Sequence, residues 1–93
     1  MTTLDRLYNS TVVMTGAVES IATLDPNISG ASGNWELRNI GASNINNVLL
    51  GNGTHMNIIV QLGEAYSFQE WDADDIYVQG TAGETLQVVR SEP

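Results

Sequence analysis

The stretch Trp71–Arg90, WDADDIYVQGTAGETLQVVR, decides the class of fold. Ile76, Tyr77 and Val78 are β-branched or aromatic and alternate between two faces, as do Leu86, Val88 and Val89 farther on. That period of two is the signature of strands with one buried face. Between the two runs, Gly80-Thr81-Ala82-Gly83-Glu84 supplies two glycines that accept positive φ, so the segment is predicted to be a β-hairpin. Asp72, Asp74 and Asp75 cap an exposed loop ahead of it.

Working outward, Tyr66 and Phe68 carry the alternation into Glu70-Trp71. His55–Leu62 places Met56, Ile58, Val60 and Leu62 on one face, with His55, Asn57 and Gln61 opposite and Ile59 out of pattern, which predicts an amphipathic strand. Asn47–Leu50 reads as a short strand, and Asn52-Gly53 as a tight turn after it. Trp35–Ile40 sets Trp35 and Leu37 against Glu36 and Arg38. Ser29–Asn34 is a loop of small polar residues. Thr11–Thr15 reads as a strand. Val18–Leu24 is also predicted extended, although Val18, Ile21 and Ala22 fit one helical turn, and Asp25-Pro26 stops it. Residues 1–9 read as an extended arm or a single turn, too short to hold an isolated helix.

About seven or eight short antiparallel strands with frequent turn signals predict an all-β fold, a single small β-sandwich or partly open barrel over residues 10–93. Met56, Ile58, Val60, Tyr66, Phe68, Ile76, Val78, Leu86 and Val88 are expected to line one core.

The chain has 93 residues and one domain's worth of core. It has no cysteine, so disulfides and Cys-based metal or redox sites are excluded. Eleven acidic residues against three basic ones, all arginines, give a net charge of −8. Such a surface repels phosphate backbones, so nucleic acid is not an expected partner. With neither a basic start nor a long apolar run, no membrane partner is expected and synthesis in the cytoplasm is.

Catalytic and metal chemistry find little footing. The run Glu70, Asp72, Asp74, Asp75 offers oxygen ligands but lacks the spacing and glycine of a calcium loop, so a solvated turn is expected. His55 is the single histidine, and no nucleophile turn accompanies it. None of the glycines opens a helix as a phosphate loop does. No catalytic residue, metal or cofactor is therefore expected. Trp35, Trp71, Tyr8, Tyr66 and Tyr77 could stack sugars, but Trp35 and Tyr66 fall in the inward register, which favours a core or an interface.

Leu62-Gly63-Glu64, Tyr66-Ser67-Phe68 and the Ile76–Leu86 segment, in that order, resemble small β-sandwich modules in virion proteins of tailed bacteriophages. The likeness is greatest to capsid decoration (head-stabilising) proteins and extends to head-fibre and tail-associated modules. It runs over Trp35–Arg90, and its turns serve the sandwich rather than a ligand. The resemblance implies a structural protein on the capsid surface of a virion that bridges neighbouring subunits of the major capsid protein; the alternative it allows is an adhesion module for carbohydrate or host surfaces. We expect a homo-oligomer, with a trimer favoured, contacting its neighbours through Leu4, Arg6, Leu7 and Tyr8. Leu4, Leu7 and Tyr8 are apolar surface without an evident place in the sandwich, and Arg6 could pair with a carboxylate across the contact.

Overall fold

A computed structural model describes residues 7–91. They form two four-stranded antiparallel sheets packed into an all-β sandwich. In chain order the strands are β1 (Leu7–Val13), β2 (Glu19–Ser20), β3 (Ser32–Arg38), β4 (Val48–Gly51), β5 (Ile58–Val60), β6 (Ala65–Asp72), β7 (Tyr77–Gln79) and β8 (Thr85–Ser91). One sheet has the order β1-β8-β3-β6, the other β2-β7-β4-β5. Only β4 and β5 are consecutive partners; every other link carries the chain from one sheet to the other.

The hairpin predicted over Trp71–Arg90 is therefore an arch. β7 pairs with β2 and β4, whereas β8 pairs with β1 and β3. Alternation satisfies either arrangement, since two strands with apolar inner faces can lie side by side or face each other across a core. Met14 decides between them. Its N–H donates to the Glu84 carbonyl at 2.9 Å and its carbonyl accepts from the Gly83 N–H at 3.0 Å, which fastens the link to the end of β1. Gly80 leaves room for the Met14 thioether, where a Cβ would overlap the sulfur.

The core is formed around Trp35, Leu37, Ile21, Ile28, Leu50 and Met14, all buried. Of the residues expected there, Val60, Phe68, Ile76, Val78, Leu86 and Val88 are buried, and Ile58 packs against the cluster half-buried. Met56 is half-buried in the loop ahead of β5. The strand expected over His55–Leu62 contracts to three residues because Asn52 claims the preceding backbone. Its side-chain oxygen accepts from the N–H groups of Thr54 at 2.9 Å and His55 at 2.8 Å. Asn52 N–H in turn donates to the His55 carbonyl at 3.2 Å, closing a loop where a Cβ on Gly51 would overlap that carbonyl.

The segment expected as a strand over Val18–Leu24 is extended only at Glu19–Ser20; Ile21–Leu24 is one helical turn, α1. Ser20 caps it by accepting from Thr23 N–H at 3.1 Å, and burying Ile21 and Ala22 outweighs the β propensity of Ile21 and Thr23.

Residues 7–9, expected as part of an arm, belong to β1, with Leu7 opposite Ser91 and Asn9 opposite Val89. Leu4 and Arg6 lie outside the described residues. Tyr8 is committed to its own sandwich: its hydroxyl donates to Asp25 Oδ2 at 2.8 Å, as does Ser10 Oγ at 2.8 Å, and Asn27 N–H donates to Asp25 Oδ1 at 3.2 Å. Desolvation, and then the Asp25 carboxylate, raise the Tyr8 pKa above its ordinary 10.0. The fold thus favours neutral tyrosine, so this contribution to stability is whole below pH 10 and is lost as pH rises through the raised value. Tyr8→Phe is expected to flatten the alkaline loss of stability, seen as a smaller drop in melting temperature between pH 9 and pH 11 than the parent shows. An equal drop in both would remove Tyr8 from the account.

Candidate binding surfaces

The direction of the strands gathers the loops at two poles. The links β1–β2, β3–β4, β5–β6 and β7–β8 meet at one, and the links β2–β3, β4–β5 and β6–β7 at the other. A flank joins the poles where β5 and β6, the edge strands of the two sheets, face each other.

The first pole exposes several aliphatic side chains, with the exposed Glu64 in the β5–β6 link beside them, on loops held by hydrogen bonds. Ile40, Ile45 and Leu62 are 51%, 77% and 49% exposed, and Val18 is exposed in the neighbouring link. Beneath them lies a buried polar network. Asn44 Nδ2 donates to Asn39 Oδ1 and to the Thr85 carbonyl, both at 2.7 Å, and Thr85 N–H returns a bond to Asn44 Oδ1 at 3.0 Å. Asn39 Nδ2 reaches the carbonyls of Asn46 and Val60 at 3.0 and 3.1 Å. The buried Glu84 carboxylate accepts from the N–H groups of Ile45 and Asn46 and from Asn46 Nδ2, at 3.2, 3.3 and 3.0 Å. Burial without these partners would cost several kcal/mol; satisfied, they fix the backbone that displays Ile45.

The acidic run sits at the opposite pole and serves the fold. Asp74 Oδ2 accepts from Gly30 N–H at 2.8 Å and Asp72 Oδ1 from Ser32 Oγ at 2.5 Å, tying the β6–β7 link to the start of β3. Among the described residues, no three His, Asp or Glu side chains converge as a cation would require.

The flank holds an open groove of about 570 Å³ between the β4–β5 hairpin and β6. Tyr66, expected in the core, is here. It shares the Phe68 face but remains 41% exposed, because β6 is an edge strand and the three residues of β5 do not cover it. Trp71 is also 41% exposed. The ring centroids of Tyr66 and Phe68 are 5.1 Å apart and those of Phe68 and Trp71 5.5 Å, both edge to face. Plain alternation would bring Glu70, not Trp71, to this side. A bulge reverses the order: Gly33 opposes Trp71 but Trp35 opposes Phe68, so β6 carries one extra residue. Glu70 absorbs it at φ 57°, a conformation costing a non-glycine residue about 1–2 kcal/mol. Asn34 Oδ1 accepts from Glu70 N–H at 3.0 Å and Trp35 Nε1 donates to the Trp71 carbonyl at 2.8 Å, which hold the bulge. The sequence reading missed it, although Asn34-Trp35 facing Gln69-Glu70 carries the groups that stabilise it.

No model of a known family matches the chain, and no curated protein or solved structure is significantly similar to it.

Proposed function

We propose that the chain is a phage virion structural protein that decorates the capsid, docking by its apolar pole on the major capsid protein as a homo-oligomer, with a trimer favoured, and bridging neighbouring subunits. The observation that carries this reading is the pole itself. In a chain of net charge −8, Ile40, Ile45 and Leu62 stand exposed on loops locked from beneath, with Glu64 beside them and Asp72, Asp74 and Asp75 at the far end. A preorganised apolar platform loses little entropy on docking. Repeating a modest contact about a symmetry axis multiplies it into stable attachment. The likeness of Trp35–Arg90 to virion modules supplies the setting.

The test is binding of the purified chain to shells that lack it. Ile45→Asp places a charge on an exposed side chain and leaves the core intact. It is expected to weaken shell binding at least tenfold, with a cooperative melting transition retained. Full binding by Ile45→Asp and by Leu62→Asp would remove the pole from the role. The aromatic flank favours a second reading, an adhesion module of a head fibre or tail.

A further inference from the structure

We propose that the groove between β5 and β6 binds a neutral carbohydrate, whose ring faces lie on Trp71 and Tyr66 and whose hydroxyls are read by His55, Asn52 and Asn57. This deepens the adhesion reading and stands on the flank alone.

Three observations converge. The groove is built at a cost, because Glu70 is held at positive φ and the extra residue it accommodates turns the Trp71 indole, rather than a carboxylate, toward Phe68. Strain of that kind, held by Asn34 and Trp35, is a reason to look for a function at the site. Second, no Asp, Glu, Lys or Arg lines the groove among the described residues, although the chain carries eleven acidic side chains. A cation would call for carboxylates and a phosphate or carboxylate ligand for arginines. A neutral ligand needs neither. Third, the lining combines exposed aromatic rings with an imidazole and amides. A sugar ring matches that combination, with apolar C–H faces for the rings and hydroxyls that both donate and accept for the amides. At about 570 Å³ the groove lies within the ~300–1,000 Å³ of small-ligand sites.

The experiment titrates the full chain with neutral hexasaccharides of glucose, mannose, galactose or N-acetylglucosamine. A uronic-acid hexasaccharide is the charged control, and tryptophan fluorescence is the readout. At least one neutral sugar is expected to shift the emission saturably, and Trp71→Ala to weaken its binding at least tenfold with the melting transition retained. Should Trp71→Ala lose its fold, Asn57→Ala, an exposed change outside any strand, is expected to weaken binding about fivefold or more. Ile45→Asp should bind the sugar as the parent does, which separates this site from the docking pole. The proposal is overturned if no neutral sugar binds at millimolar concentration, if only the charged control binds, or if Trp71→Ala and Asn57→Ala both bind normally. It is equally overturned if light scattering shows a dimer that Trp71→Ala dissolves, since the groove would then belong to a second copy.

Discussion

Val60→Asp is expected to leave no stably folded domain at neutral pH. Val60 is fully enclosed, opposite Val48 in the sheet, and its carbonyl accepts from Asn39 Nδ2. A carboxylate there would stand within the hydrophobic cluster, and burying it uncompensated costs several kcal/mol even after the group neutralises itself by taking up a proton. A single domain of this size has about 5–15 kcal/mol in total and sits toward the lower end. Circular dichroism at pH 7 should show the β signal lost or its melting temperature greatly lowered, with partial recovery near pH 4 as the aspartate protonates. A soluble variant melting like the parent would contradict the inward register of β5.

Trp35→Ala is expected to cost about 3–5 kcal/mol. Its indole is the largest buried side chain, and its Nε1 bond to the Trp71 carbonyl closes the bulge. At ~4–8 °C per kcal/mol for a domain of this length, the melting temperature should fall by roughly 12 °C or more. Trp35→Phe separates the two contributions. It retains most of the apolar contact but leaves the Trp71 carbonyl without its donor, so it should cost about 1–3 kcal/mol and reduce the proposed sugar binding along with stability. Urea denaturation measures both variants, and a cost below about 1 kcal/mol for Trp35→Ala would contradict the core described above.

These residues also mark how far the sequence can be read. Alternation in Trp35–Arg38, Tyr66–Phe68, Ile76–Val78 and Leu86–Val88 identifies strands and their inner faces, because the pleat alone dictates it. The same alternation cannot choose a strand's partner, so the Gly80–Glu84 link read as a hairpin although Met14, some seventy residues away, makes it an arch. Nor does an inward register guarantee cover. Tyr66 faces inward and stays exposed because the opposing sheet ends at the short β5. Trp71 is harder still, since one extra residue at Glu70 reverses its side and the cause lies in Asn34 and Trp35 on another strand. Of the pole's exposed aliphatics, Ile40 and Leu62 fall within stretches predicted as strands and Ile45 between them, so nothing in the sequence marks them as one surface. Their common placement depends on the links that cross between the sheets.

The proposed role on a capsid is tested most directly by counting. Quantitative mass spectrometry of phage particles purified from a lysate that contains this chain would give its ratio to the major capsid protein. Decoration of an icosahedral shell predicts a fixed ratio and on the order of hundreds of copies per particle. A handful of copies per particle, or none, would contradict it.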